Sequence, residues 1–209
     1  MKKSLHHNDR MAAARGFFLI ATALTLGWGL PTANAADGTY TGNVNANWNV
    51  TANWKDGAVA DGAGYTATID RTGFTATRTV TLDSDRTIGS VLVIGAPSQS
   101  RNAIIAGTKT LTLNGGSSPS VISNHGWGSA NVNPSVISLA SDLVVINAPI
   151  NGSTGEASSG YVTLGNATSS VVSAGGVRTI TTQPSTSVTT VSPVNPNDWR
   201  IVLSGTVAD

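Results

Sequence analysis

The stretch TATRTVTLDSDRTIGSVLVIG, Thr75 to Gly95, decides how the rest of the chain is read. Apolar residues alternate through Val80 and Leu82, a short polar DSD turn follows, and alternation resumes at Ile88. The run ends in four consecutive apolar residues, Val91, Leu92, Val93 and Ile94. Period two is the signature of a strand with one buried face. A short continuous apolar run is consistent with a strand buried on both sides.

Working outward, the same pattern recurs. TKTLTLNGG alternates through Leu111 and Leu113 and stops at Gly115 and Gly116. SVIS occurs twice, at Ser120–Ser123 and at Ser135–Ser138, and SDLVVINAPING is a strand ending in a turn from Pro149 to Gly152. GYVTLGNATSSVVSAGGVRTITT adds three short runs cut by Gly165-Asn166 and Gly175-Gly176. From Ala36 to Asp209 there are 24 Thr, 22 Ser and 20 Val against 8 Leu. β-Branched residues suit a pleated, half-buried surface, and no window sustains a 3.6-residue apolar period. The fold class is therefore all-β. Runs this short, separated by turns rich in Gly, Asn and Ser, fit a β-solenoid in which each coil stacks on the last, with a β-sandwich as the alternative. Few side chains are bulky enough to fill a wide sandwich core. The T-x-T and x-V-x-V patterns suit stacking of like residues between coils. Against the solenoid, no fixed repeat length emerges, and the two SVIS copies are 15 residues apart.

Residues 1–35 have the charge, apolar and A-x-A order of a cleaved signal peptide. Lys2, Lys3, Arg10 and Arg15 precede FFLIATALTLGWGL, then Pro31 and the small residues Ala33 and Ala35. That apolar run, Phe17 to Leu30, is shorter than the roughly 20 residues a membrane span needs. Cleavage is expected after Ala35, and Met11 is an alternative start. Export would take the chain to a cell surface or the extracellular space. Without the leader, 12 Lys and Arg fall to eight and 11 Asp and Glu fall to ten, a net charge near −2. That balance argues against nucleic-acid binding. No Cys is present, so stability rests on packing and backbone pairing instead of disulfides. The final run, DWRIVLSGTVAD, starts like a strand and stops without a turn. The sequence is expected to be the N-terminal part of a longer chain, with residues 36–70 as a cap segment and 71–209 as solenoid.

NWNVTANW, from Asn47 to Trp54, sets Trp48 and Trp54 six residues apart ahead of a glycine-rich turn. In a solenoid the open end of the first coil must be covered to prevent edge pairing. Two indoles lying over that end, with Asn47, Asn49 and Asn53 binding loose backbone groups, would cover it. The competing reading is a carbohydrate platform, with sugar rings stacked on Trp48 and Trp54. Gly57, Gly62 and Gly64 then turn the chain into the strand YTATID.

Four blocks resemble, in order and spacing, the N-terminal part of bacterial surface proteins carrying autotransporter-associated β-strand repeats. They are NWNVTANW, VADGAGYTATID, VTLDSDRTIGSVLVIG and KTLTLNGG. The resemblance covers Asp37 to about Ile150, roughly half the chain. The later G-x-G-T-L-x-L-x-G repeats of that family are absent. What the resemblance implies is a right-handed parallel β-helical passenger, exported from a Gram-negative-type bacterium, with a structural or adhesive role.

Candidate chemistry is sparse. Asp83 and Asp85 are paired carboxylates of the kind that hydrolyse glycosides or bind calcium, but DSD after VTL reads first as a solvated turn. ADGAG, Ala60 to Gly64, lacks the Lys of a phosphate loop, and a single Asp61 does not make a repeated calcium-binding nonapeptide. His125 in NHGWGS is the one histidine after the leader and reads as a loop residue; Glu156 is the one glutamate. No G-x-S-x-G is present. Arg71, Arg78, Arg86, Arg101 and Lys109 are dispersed, without the acid cluster a polysaccharide lyase would need beside them. The sequence thus favours a non-catalytic segment with no cofactor and no metal. The partners it suggests are extracellular polysaccharide or other surface proteins.

Overall fold

A computed structural model describes residues 35–96, 100–148, 160–184, 201–203 and 206–208. The leader, Trp199 and Glu156 fall outside them. The strands are β1 (Gly38–Tyr40), β2 (Ala46–Asn47), β3 (Gly62–Asp70), β4 (Arg78–Thr81), β5 (Arg86–Ile94), β6 (Ala103–Leu113) and β7 (Ser120–His125). They continue with β8 (Ala130–Leu139), β9 (Leu143–Ala148), β10 (Val162–Leu164), β11 (Ser170–Ser173), β12 (Ile180–Pro184), β13 (Ile201–Leu203) and β14 (Thr206–Ala208). Two 3-10 turns, Thr51–Asn53 and Lys55–Gly57, are the only helical pieces among the described residues.

Every strand pair among the described residues is parallel, and the strands stack as a β-solenoid of about 4 turns. Three faces run along it. The first stacks β1, β3, β5, β7, β9 and β12. The second stacks β2, β4, the first half of β6, the first half of β8, β10 and β13. The third stacks the start of β5, the second halves of β6 and β8, then β11 and β14. A sandwich is excluded by this pairing, because its sheets would be antiparallel. β1 to β3 are already rungs, so the stack begins inside residues 36–70.

Register explains the core. On the first face Ala67, Val91, Ile122 and Val145 stand one above the other. On the second, Val80, Ile105, Val132 and Leu164 do so, and on the third Ile88, Leu113 and Leu139. All of these side chains are buried, each contributing about 1.5–3 kcal/mol relative to exposure for the larger aliphatics. The apolar half of the expected like-on-like stacking is present. The T-x-T half is present only as isolated pairs: Thr39 stacks on Thr68 and Thr87 on Thr112, but Thr66 and Thr68 then lie beside Ser90 and Leu92, and Thr110 and Thr112 beside Val136 and Ser138. The T-x-T pairs of β3, β4 and β6 fall on three different faces, so among the described residues no threonine column runs beyond two rungs.

The missing repeat length also has a cause. Successive turns on the first face run from 67 to 91, 91 to 122, 122 to 145 and 145 to 182, which is 24, 31, 23 and 37 residues. Strand registers are kept and the connections vary. The two SVIS copies belong to different faces, the first in β7 and the second in the third-face half of β8.

Corners are made where side chains cannot fit. β5 turns from the third face to the first at Gly89, where a Cβ would sit 2.5 Å from the Gly64 backbone. β6 turns at Gly107, with φ +131 and the Leu82 carbonyl 2.7 Å from any added Cβ. Its partner across the rung is Pro134 of β8, a residue without the N–H that a mid-strand ladder needs.

Candidate functional site

At the N-terminal end, Trp48 and Trp54 are buried, 0% and 3% exposed. The Trp48 indole N–H donates to the Ala60 carbonyl at 2.9 Å, and that of Trp54 to the Trp48 carbonyl at 2.7 Å. Their ring centroids are 5.0 Å apart. Tyr40 meets Trp54 edge-on at 5.5 Å and Phe74 at 6.5 Å, and its hydroxyl donates to the Val44 carbonyl at 2.9 Å. Tyr40 and Phe74 are not singled out by the sequence; neither Tyr40 in β1 nor Phe74 in the β3–β4 connection carries a local pattern that marks it as part of the cluster. With both polar ends satisfied and the rings enclosed, neither indole offers a sugar ring an open face in this conformation.

The 51–57 segment also blunts the first rung. Thr41 N donates to the Asn53 carbonyl at 2.9 Å, and Tyr40 and Trp54 form an isolated antiparallel bridge beside β1. The side chains that capture loose backbone are not those of Asn47, Asn49 and Asn53. Asn43 Oδ1 accepts from Thr75 N at 3.0 Å and Arg78 Nε at 2.9 Å, and Asn45 Oδ1 accepts from Thr79 N at 2.9 Å. The reason is position: Asn43 and Asn45 precede β2 and lie alongside the loop entering β4. Asn49 instead accepts from Arg86 and donates to Ser84 Oγ at 3.3 Å. Asp61 of ADGAG pairs with Arg86 Nη1 at 2.6 Å, locking the segment onto the first coil.

The other singled-out groups are dispersed. Asp83 and Asp85 lie in the turn between β4 and β5. Asp85 Oδ1 accepts from Thr110 N at 2.8 Å on the neighbouring rung, which is a strand-joining contact. His125 is the last residue of β7 and not part of a loop. Its register partners are Ile94 and Ala148, and burial pulls its pKa below the ordinary 6.5. Among the described residues, no three His, Cys, Asp or Glu side chains gather as a metal site.

One buried polar network emerges only in three dimensions. Arg71, 1% exposed, donates from Nη1 to the Arg101 carbonyl at 2.7 Å and from Nη2 to Asn124 Oδ1 at 2.9 Å. Asn124 Nδ2 donates to Asn147 Oδ1 at 3.0 Å, and Asn147 Nδ2 donates to the Gly160 carbonyl at 2.7 Å. Successive coils are thus tied by one internal ladder. The guanidinium has no carboxylate in this network, and burial lowers its pKa to about 10. The only local trace of it in the sequence is VISN and VVIN, where Asn124 and Asn147 each follow a buried residue by two positions.

One concave surface lies at this end, a cleft of about 290 Å³ lined by Asp37, Gly38, Thr39, Lys55, Asp56, Ala58, Thr66 and Thr68. Its floor is the outward side of the first face, where Thr39 and Thr68 are register partners. Its wall is the 3-10 turn Lys55–Gly57, in which Asp56 is the one described non-glycine residue with positive φ, 56°. Asp37 Oδ1 accepts from Thr66 N at 2.6 Å. No protein family, curated protein or solved structure matches the chain.

Proposed function

We propose that the chain is an exported, non-catalytic β-solenoid segment of a bacterial cell-surface or secreted protein of the autotransporter-associated repeat type, with a structural or adhesive role. The observation that carries this reading is the combination of a signal-like leader with a parallel stack whose rungs are joined by aliphatic columns. Such a stack presents repeated outward faces and needs no disulfide. The ionic and amide side chains described above add to the support. Arg71, Arg86, Asp61 and Asp85 are each engaged in holding coils together. No helix among the described residues is long and apolar enough to cross a membrane.

The reading is tested by N-terminal sequencing of the protein recovered from medium and cell surface of an expressing bacterium. The expected first residue is Ala36, within two positions. Intact protein retained inside the cell overturns export. A polysaccharide-degrading enzyme is the competing class; release of products from mixed plant and algal polysaccharides by the purified chain would establish it. The cleft at Asp37 and Asp56 favours a second reading, a carbohydrate-binding module.

A further inference from the structure

We infer that the N-terminal cleft is a saccharide-binding subsite, taking one or two sugar units of a larger glycan by their hydroxyls. The inference deepens the adhesive reading and rests on it for where such a glycan is met.

The closed faces of Trp48 and Trp54 move any carbohydrate contact away from the aromatic pair. The cleft next to them has the donor and acceptor set that hydroxyl groups need. Asp37 and Asp56 supply carboxylate acceptors, Lys55 an ammonium donor, and Thr39, Thr66 and Thr68 hydroxyls able to do both. Hydrogen bonds to charged groups are the stronger kind. Asp37 engages one oxygen with Thr66 N, which fixes the carboxylate while its other oxygen has no partner among the described hydrogen bonds.

The wall is held in place before any ligand arrives. Gly57 N donates to the Trp54 carbonyl at 3.0 Å, and Trp54 itself is anchored in the aromatic cluster. Asp56 is held in the left-handed region at φ 56°, a conformation sparsely populated by non-glycine residues and enriched at binding sites. A preformed wall costs less ordering on binding.

Other ligand classes fit less well. A divalent cation would meet Lys55 beside only two carboxylates, and hard cations take six or more oxygens. A phosphate would be repelled by Asp37 and Asp56. An apolar ligand would find only Ala58 and a glycine. The volume, about 290 Å³, falls just below the range of ligand pockets, about 300 Å³ and upward, which suits a terminal or branching unit more than a long stretch of chain.

The test uses the full chain and four oligosaccharides, cellohexaose, mannohexaose, xylohexaose and galactohexaose, followed by saturation-transfer NMR and calorimetry. Binding of at least one is expected. Asp37→Asn with Asp56→Asn is expected to weaken it about tenfold or more, since neutral amides replace the charged acceptors. Both changes suit the fold: the amide oxygen introduced by Asp37→Asn can still accept from Thr66 N, and asparagine tolerates the left-handed region. Asp142→Asn, which keeps an acceptor for Thr179 N on the β9 side of the stack, should bind as the parent does. Should the double variant not fold, Lys55→Ala on the exposed wall gives the same readout. Failure of all four sugars to bind, or binding that survives both cleft variants, overturns the subsite. So does tighter binding of calcium chloride to the same residues. Export is read separately by N-terminal sequencing, so either result can fail without the other.

Discussion

Trp54 shows what a single residue does at the open end of the stack. It is buried, donates to the Trp48 carbonyl and meets Tyr40 edge-on. Truncating a buried aromatic of this size costs about 3–5 kcal/mol, a large part of the roughly 5–15 kcal/mol typical of a whole domain. Trp54→Ala should therefore lower the unfolding midpoint clearly in chemical denaturation, with or without oligosaccharide. An unchanged midpoint would show that the indole does not hold the end of the fold. His125 makes a different prediction. Its folded pKa lies below 6.5 because burial disfavours the imidazolium. The unfolded chain therefore takes up the proton first as pH falls. The contribution is fully present above pH 6.5 and is lost as pH drops through the lowered folded value. The midpoint should decline on acidification, and His125→Gln should decline less over the same range. Equal slopes would remove His125 as the cause.

At the scale of elements, the corners decide whether strands reach three faces. β5 serves two faces only because it bends at Gly89 against Gly64. A Cβ at Gly89 would lie 2.5 Å from backbone that cannot give way. Gly89→Ala should cost about 3 kcal/mol or more, at the upper end of overpacking effects. Gly73→Ala, where nothing lies within 4 Å of the added carbon, should leave thermal unfolding near the parent's. If the two variants melt alike, the corner is more pliable than its geometry implies. Much of this level is legible in the sequence. Alternation through Val80, Leu82 and Ile88 and the glycine pairs at 115–116 and 175–176 mark the strands and turns. The capture of Thr75 and Thr79 by Asn43 and Asn45, in place of the Asn residues around the tryptophans, is not legible there. It depends on which loop lies alongside which strand.

At the scale of the whole molecule, strand pairing joins each rung only to its neighbours, so protection should grade along the stack. β7 and β8 are paired on both sides, while β1 and β2 have one strand partner each. Hydrogen exchange followed by mass spectrometry should show the amides of β7 and β8 exchanging more slowly than those of β1 and β2. Uniform protection would instead indicate a single cooperative unit. The Arg71–Asn124–Asn147 ladder works at this scale too, since it joins turns that are 53 and 23 residues apart in sequence.

The sequence by itself determined the class of element, the glycine-marked turns and the aliphatic core positions of the alternating strands, because period two and glycine placement are local properties of the backbone. It also marked Trp48 and Trp54 as the large residues at one end. Only the tertiary structure decided which strands share a face, since turns of 23 to 37 residues hide the register from any fixed period. It decided likewise that Arg71 is an internal tie, that the indoles are enclosed, and that Asp37, Lys55 and Asp56 meet the threonines of β1 and β3 around one cleft. Those residues lie up to 31 positions apart, from Asp37 to Thr68, and parallel stacking is what places them side by side.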